Sequence, residues 1–547
     1  MKLADELRKI ISGEVADDEA TLAAMSRDAS VFVVKPSVVV YPKDISDLSA
    51  LVKFVIANKK KNRKLSLTAR SAGTDMSGGP LSESIVVAFG RYFNRIKDIK
   101  PGYAVAEPGV FYRDFEKATL RYGSIMPAYP ASRELCALGG IINNNSGGEK
   151  TLKYGKAENY IESVNVVLAD GKEYFFAEIP VKEAKRLARR NDFEGEIYRK
   201  LLRLLSKNAK FIEESRPHVS KNSAGYALWN VWDRRRDTVN LAKLFIGAQG
   251  TLGFVTSARI RLVAVPKKAK MLIIFMNDLS RLGETINTVL PFKPESFESY
   301  DDNTLKLALK YFPSFARLMG TRNILSLGIK FLPELWMAAT SGLPKLVLQA
   351  EFTGDNDLEL ANIIRQLKRK LQPFGFAMRV AETKEEARKY WLIRRESFNL
   401  LRNRIKDRHT APFIDDIVVA PEKLPEFLPR LNAILAEYNL TYTMAGHIGN
   451  GNFHIIPLMN LKKKLERDII PELSEKVYNL VFEFGGSTTG EHNDGLIRSP
   501  YLKQMYGDKM YKLFVEVGKI FDPRDIFNPG KKTDSSLSFA IKHIRRD

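Results

Sequence analysis

Cysteine is almost missing from this chain of 547 residues, with Cys136 the only one. That excludes an internal disulfide, a cysteine-based zinc finger and an iron–sulfur cluster ligated by the chain alone. Histidine is scarce too, at six. No uninterrupted apolar run reaches the ~18 residues of a membrane-spanning helix. The first stretch, MKLADELRKIISGEVADDEA, is charged and amphipathic and lacks the apolar centre of a secretory signal. The expected location is therefore cytoplasmic, either free or peripheral on the inner face of the cell membrane. Acidic residues are outnumbered, 64 against 86 Lys and Arg, for a net charge of +22. Such an excess suits an anionic membrane surface, an acidic substrate or nucleic acid. No nucleic-acid recognition motif accompanies it, so no nucleic-acid partner is expected.

What is present is globular composition, 44% hydrophobic and 10% aromatic, in a length too great for one core. VFVV (31–34), SVVVYP, KLSLTA, SIVVAF, YAVAEPG and ESVNVVLADGKEYFF read as strands. PKDISDLSALVKFVIANKK reads as a helix capped by Asp44, with an apolar stripe of Ile45, Leu48, Val52, Val55 and Ile56. Leu244–Ile246 and Phe254–Val263 read as strands around GAQGTLG. Further on, MLIIFMN, KLVLQAEF and FIDDIVV are strand-like, while LELANIIRQLKRKL and LPEFLPRLNAILAEY are helix-like. This predicts an α+β protein in which an antiparallel sheet covered by helices follows a first α+β region. Two basic, leucine-rich stretches, 181–210 and 316–348, have the composition of segments that lie in a bilayer interface, and the second equally fits a buried helical hairpin.

Two kinds of unusual stretch carry the chemistry. Three glycine loops follow or feed strands: ARSAGTDMSGG (69–79), CALGGIINNNSGGEKTLKYG (136–155) and GAQGTLGFVT (247–256). Small residues leave backbone N–H groups free to meet a pyrophosphate or a flat, extended ligand. The spacing is neither that of a Rossmann turn nor that of a P-loop. The other kind gathers histidines. AGHIGNGNFHIIPL (445–458) holds His447 and His454, and STTGEHNDG (487–495) holds Glu491 and His492. His447, His454 and Glu491 are suitable ligands for zinc or manganese and leave coordination positions open, with His492 beside them.

In combination these motifs resemble the flavoprotein family of vanillyl-alcohol oxidase, in the branch of FAD-linked D-2-hydroxyacid dehydrogenases. RSAGTDMSGG is similar to that family's pyrophosphate loop, PAYPASRELCALGGIINNNSGGEKTLKYG to its second FAD loop, and GAQGTLGFVTSARIRL to its third. GEHNDG and FDPRDIFNPGKK are similar to its closing motif, and the resemblance runs from about residue 25 to 532. It implies a two-subdomain FAD-binding domain of the PCMH type over 1–268. A cap and substrate domain over 269–484 would include the metal-binding histidines, and a segment over 485–547 would return to the FAD domain. FAD contacts are implied for Arg70, Ser71, Ala72, Gly73, Thr74, Asp75 and Ser77 in the first loop. The second loop would add Pro130, Ser132, Gly139, Gly140, Asn144, Gly147, Gly148, Tyr154 and Gly155. Gly250, Gly253 and Val255 would follow from the third, and Asn528 from the tail. The first loop has no histidine to tether the flavin, so the FAD should be non-covalent. Cys136 reads as a small buried residue beside the flavin.

GHIGNGNFH resembles the family motif GHxGDGNxH, and GEHNDG resembles GEHGxG. The resemblance implies a zinc or manganese ion held by His447, His454 and Glu491, with His492 as catalytic base. Arg394, three after Trp391 as in the family's W-x-x-R, would take the substrate carboxylate. The implied reaction oxidises a D-2-hydroxy acid to the 2-oxo acid by hydride transfer to flavin. Electrons would then pass to a quinone, a cytochrome or an iron–sulfur protein. The sequence stops fifteen residues after Lys532, so the acceptor is expected to be separate. Four positions depart from the pattern. Gln249 replaces Glu, Asn450 replaces Asp, Asn493 replaces Gly, and Ile456 stands where the 2-hydroxyglutarate enzymes have Asn. A lysine that some members use before a DIVV-type strand is absent, with Phe413 and Ile414 in that area. The last two features favour a small acid such as D-lactate. Two other readings are an enzyme like alkylglycerone-phosphate synthase, and a non-catalytic electron-transfer flavoprotein, for which Gln249, Asn450 and Asn493 speak.

Overall fold

The computed structural model describes residues 2–302, 304–306, 343–404 and 407–547, with side chains outside 396–404. The first layer is a four-stranded sheet in the order Glu14–Ala16, Val38–Tyr41, Ile85–Ala88, Leu67–Arg70, the last three parallel. Val38, Val39, Val40, Ile85, Val86 and Val87 are all fully buried. Both faces of these strands are covered, which is why they read as continuous β-branched runs and not as alternating patterns. The helix Ile45–Asn58 buries Leu48, Leu51, Val52 and Val55, and the Asp44 side chain caps it by accepting from the Asp47 N–H. The strand Leu67–Arg70 runs directly into the first glycine loop.

A second, seven-stranded antiparallel sheet has the order Trp232–Asp233, Thr238–Asn240, Glu173–Pro180, Ile161–Val167, Phe254–Arg261, Tyr103–Ala106, Ile96–Lys100. The helices Phe193–Lys207 and Leu502–Phe521 pack on it, so residues far apart in the chain share one core. The cap begins at Lys268–Met276. Its antiparallel sheet runs Ala377–Ala381, Lys268–Met276, Leu346–Gly354, Ser296–Asp301, Thr441–His447, Asn452–Met459, His409–Thr410, and Ile417–Val418 also pairs with Asn452–Met459. Helices Leu282–Val289, Asp357–Leu371, Leu424–Ala436 and Lys464–Glu483 contribute to the core on one side. The helix Lys384–Arg404 packs on the other, against Met271, Ile273, Tyr300 and Val347.

Several sequence expectations need correction. VFVV is buried but is no strand: Phe32 and Val33 make only isolated bridges, to Ile544 and Arg27. Leu244 and Phe245 belong to a short helix, Ala242–Phe245, which opens where the Asn240 side chain accepts from the Ala242 N–H at 3.0 Å. A three-residue apolar run has no period that could separate the two states. FIDDIVV supplies only the two-residue strand Ile417–Val418, because Asp416 is left-handed at φ 69°. In the stretch 181–210, Ile197, Leu201, Leu204 and Leu205 are buried in the core, so its apolar face is already covered. The stretch 316–348 lies outside the described residues as far as 342, and Leu346 begins the buried cap strand.

Candidate active site

The three glycine loops meet. Residues from 69–80, 130–146 and 249–250 line a cavity of about 520 Å³ together with Thr410, Ile456, Glu491 and His492. Of the residues expected at the flavin, Ser71, Ala72, Gly73, Thr74, Asp75, Pro130, Ser132, Gly139, Gly140, Asn144 and Gly250 are on its wall. The others stand behind it. Arg70 donates to the Arg27 carbonyl at 2.7 Å, and its guanidinium lies 2.2 Å from where a Cβ on Gly73 would be. Ser77 donates its N–H and hydroxyl to Asp75, at 3.0 and 2.7 Å. A Cβ on Gly147 would come within 2.9 Å of Glu491 Oε2, and one on Gly148 within 2.2 Å of the Tyr129 carbonyl oxygen. The Tyr154 hydroxyl donates to Glu295 of the cap at 3.2 Å, and Gly155, at φ 75°, ends that short helix. Gly253 lies against the Val167 carbonyl, and Val255 pairs with Val166 in the sheet. Asn528 donates to the carbonyls of Gly79 (3.0 Å) and Gln249 (2.6 Å), tying the first and third loops. Cys136 is on the wall and buried, and burial pushes its thiol up to about 12.

The cavity suits FAD on two observations. A Cβ on Gly140 would enter open space, so bare backbone faces the cavity there. Gly139 could not carry one, since it would meet Ser71 Oγ at 2.4 Å, and its smallness lets the first and second loops touch.

The histidines come from a hairpin. His447 pairs with Asn452 and Ala445 with His454 across the strands Thr441–His447 and Asn452–Met459, so all four share one face. Ile456, two beyond His454, continues that face onto the cavity wall. The turn requires glycine: Gly451 has φ 65°, and a Cβ there would lie 1.7 Å from the Val419 carbonyl oxygen. Opposite the hairpin, the loop 487–495 is anchored on Asp416. That carboxylate accepts from the N–H groups of Glu491 (2.9 Å) and His492 (2.7 Å), the Thr489 hydroxyl (2.5 Å) and the Asn452 amide (3.0 Å).

This places Glu491 Oε1 at 3.3 Å from His447 Nε2, 3.5 Å from His454 Nε2 and 3.9 Å from His492 Nε2. Each imidazole is oriented by a carboxylate at its other nitrogen. Glu298 meets His447 Nδ1 at 2.8 Å, and Asp415 meets His454 Nδ1 at 2.9 Å and His492 Nδ1 at 2.6 Å. Donor atoms bonded to one zinc at ~2.05 Å and a tetrahedral angle stand about 3.3 Å apart. Carboxylate-braced imidazoles are the usual outer support of such ligands. Donor atoms of Asp416, His454, Glu491 and His492 also fall within 4.8 Å of one another. Asp416, however, already accepts four hydrogen bonds, whereas His447 Nε2 lies 3.3 Å from Glu491 Oε1, so His447, His454 and Glu491 could also hold an ion. Burial alone would raise the Glu491 carboxyl, but Lys221 and His447 outweigh it and hold it well below the usual range. Burial would lower His454, yet Asp415 and Glu491 lift it to about 10. His492 is also raised, by Asp416 and Asp415 against burial.

Arg394 stands next to the ligand set. Its guanidinium pairs with Glu298 and lies 3.5 Å from His447 Nδ1, and it is not among the residues lining the cavity. Of the departures, Asn450 points away from the histidines, its amide donating to Ser220 at 3.0 Å. Asn493 is left-handed at φ 68° and donates to the Gly247 carbonyl at 2.9 Å. Sequence reasoning missed Asp415, Asp416, Glu298 and Lys221. Lys221 is fully buried and meets Glu491 Oε2 at 2.8 Å. The two aspartates did leave a signal, a pair of charges inside the apolar run FIDDIVV.

Solved structures share this architecture. A p-cresol methylhydroxylase with substrate bound aligns at TM-score 0.68 over 97% of this chain and 96% of its own, at 14% identity. An alkyldihydroxyacetonephosphate synthase aligns at 0.63 over 96% and 84%, also at 14%. They define the fold, a two-subdomain unit with an antiparallel cap, the vanillyl-alcohol oxidase fold. Residues 36–175 match the family described as FAD binding domain, and 265–532 the family described as FAD linked oxidases, C-terminal domain. The chain belongs to the FAD-linked oxidase family. It is 26% identical over 534 residues to a D-2-hydroxyglutarate dehydrogenase of Pseudomonas putida, covering 95% of this chain and 50% of that protein. It thus spans about half the length of the D-2-hydroxyglutarate dehydrogenases it matches first. A D-lactate dehydrogenase of Archaeoglobus fulgidus is 27% identical over 97% of this chain and 99% of its own. A glycolate oxidase subunit of Bacillus subtilis is 26% identical over 91% and 88%. Among the described residues no helix is long and apolar enough to cross a membrane.

Proposed function

We propose that this protein oxidises a small D-2-hydroxy acid, D-lactate-like, to the 2-oxo acid, with non-covalent FAD and a divalent metal. The observation that carries the reading is the meeting of three imidazole Nε2 atoms on Glu491 Oε1 beside a cavity walled by glycine loops. FAD, when bound, supplies a two-electron acceptor. A zinc or manganese ion held by His447, His454 and Glu491 would supply a Lewis acid for the substrate's hydroxyl and carboxylate. His492 takes the hydroxyl proton at Nε2, because Asp415 occupies Nδ1 and so fixes the tautomer and stabilises the imidazolium that forms. Glu298, tied to Arg394, holds His447 in the same way. Ile456 on the wall offers no partner to a second carboxylate, which favours D-lactate over D-2-hydroxyglutarate. Electrons leave to a quinone, a cytochrome or an iron–sulfur protein.

The test is anaerobic. The FAD-loaded protein is mixed with D-lactate, L-lactate, glycolate and D-2-hydroxyglutarate, with and without manganese or zinc, and flavin absorbance is followed. Bleaching by a D-acid that depends on metal supports the reading. A loaded protein that no acid bleaches refutes it in favour of the non-catalytic subunit.

A further inference from the structure

The first two glycine loops and the histidine motifs lie inside the family matches, but two parts of the wall do not, the third glycine loop and a terminal pair of segments. Residues 27–33 and 543–545 fall outside 36–175 and 265–532. The structure brings them together as a clasp. The helix Leu537–Lys542, capped by Ser536, turns the chain so that Val33 N–H donates to the His543 carbonyl at 2.9 Å and Arg545 N–H to the Val31 carbonyl at 2.9 Å. Phe32 and Ile544 pair across it, and both are buried. The clasp abuts the first glycine loop, since Ala29 N–H donates to the Asp75 carbonyl at 2.8 Å. It also sets the Arg545 side chain on the cavity wall.

Among the described residues Arg545 is the only Lys or Arg on that wall. Three carboxylates, Asp28, Asp75 and Glu491, are on it as well, and all are already engaged, Glu491 with Lys221 at 2.8 Å. Asp28 accepts from the N–H groups of Ser30 (2.9 Å) and Gly78 (3.0 Å), and Asp75 from Asn144 (2.7 Å) and the N–H groups of Ser77 (3.0 Å) and Gly79 (2.8 Å). An anion entering a cavity lined by three carboxylates needs a compensating cation, and a guanidinium presents a planar fork to phosphate or carboxylate oxygens. We propose that Arg545, delivered by the 536–547 clasp, binds an oxyanion of the cavity's occupant, either the diphosphate of the flavin dinucleotide or the carboxylate of the hydroxy acid. This rests on the FAD reading above.

The test uses the full chain stripped of flavin. Dissociation constants for FAD and for riboflavin, which has no phosphate, are read from quenching of flavin fluorescence for wild type, Arg545→Ala, Arg545→Lys and the exposed control Arg546→Ala. If the partner is the diphosphate, Arg545→Ala weakens FAD by about 10- to 100-fold. Riboflavin is then unchanged, Arg545→Lys lies between, and Arg546→Ala behaves as wild type. If the partner is the acid, FAD binding is kept and the D-lactate concentration for half-reduction rises by a similar factor. Arg545→Lys guards against a folding defect, since it keeps the charge and most of the stem. Unchanged FAD and acid affinities in Arg545→Ala overturn the proposal, as does an equal loss for FAD and riboflavin, which would mark a purely structural role. A wild type that binds no FAD overturns the parent reading and this inference with it, an outcome distinct from the others.

Discussion

Lys221→Met is the sharpest test of the ligand set. The ammonium lies 2.8 Å from Glu491 Oε2, with the two side chains 0% and 4% exposed. At an effective dielectric of about 20 their attraction is ~6 kcal/mol. Solvation lost on burial offsets part of that, and breaking such a pair costs about 3–5 kcal/mol, because the remaining buried carboxylate loses its ammonium and keeps only the imidazoles around it. In metal-free protein that full cost should appear. In loaded protein a dication on Oε1 compensates the carboxylate, and the loss shrinks to about 1–1.5 kcal/mol for the hydrogen bonds removed. The cycle then requires metal to bind the variant more tightly by about 2–3 kcal/mol, roughly 30- to 150-fold. Thermal unfolding of EDTA-treated and manganese-loaded samples gives one side of the cycle, and calorimetric metal titration gives the other. An equal loss of stability with and without metal would refute the reasoning. So would weaker metal binding in the variant, which would make Lys221 an orienting group for Glu491 before it is a counter-charge.

Other outcomes follow from the same geometry. His492→Ala should slow flavin reduction by roughly 10²–10⁴-fold and leave FAD affinity unchanged, as read by stopped-flow absorbance. Asp415→Asn should slow it too and also weaken metal binding, since the one carboxylate orients both His454 and His492. The His454 imidazolium is raised from 6.5 to about 10, so the metal-free fold holds this proton more tightly than the unfolded chain does. Its stabilising contribution is whole below about pH 6.5 and is lost as pH rises to about 10. Metal-free protein should lose stability across that window while loaded protein does not, and metal affinity should climb with pH over the same range. Gly147→Ala puts a Cβ within 2.9 Å of Glu491 Oε2 and 2.7 Å of Thr151 Oγ1. It should lower metal content on dialysis while FAD binding persists.

The parts of this molecule that were legible from sequence are those in which a residue's neighbours in the chain do the work. The β-branched runs at 38–40 and 85–87, the Asp44 cap, the glycine loops and the His447–His454 hairpin all announce themselves within a dozen residues. The charges that complete the site do not. Glu298 comes from the middle of a cap strand, Asp415 from a loop before a two-residue strand, and Lys221 from an irregular segment between two core elements. Each becomes a partner only when the cap closes over the loops, and local pattern carries no trace of that. Arg394 shows the same limit from the other side: its W-x-x-R spacing was visible in the sequence, but Glu298, which pairs with its guanidinium, lies 96 positions away.

The substitutions that speak for lost activity have a structural use. Gln249 donates to Ser77 Oγ at 3.0 Å and accepts from the Gly495 N–H at 2.8 Å, joining the first loop, the third loop and the segment after His492. Asn493 does the complementary work, donating to the Gly247 carbonyl, while its own oxygen accepts from the Asp494 N–H at 2.7 Å and from Lys532. The two side chains therefore stitch one seam, between residues 247–249 and 493–495, and neither is directed at Glu491 Oε1 or the imidazoles. A carboxylate at 249 would lack the N–H that now reaches Ser77, and a glycine at 493 would lose both the donor to Gly247 and the acceptor for Lys532. His447, His454, Glu491 and His492 are all present, and each is braced by a charged neighbour. Gln249 and Asn493 are better understood as a matched pair that holds the loop bearing Glu491 and His492 against the flavin-side glycine loops.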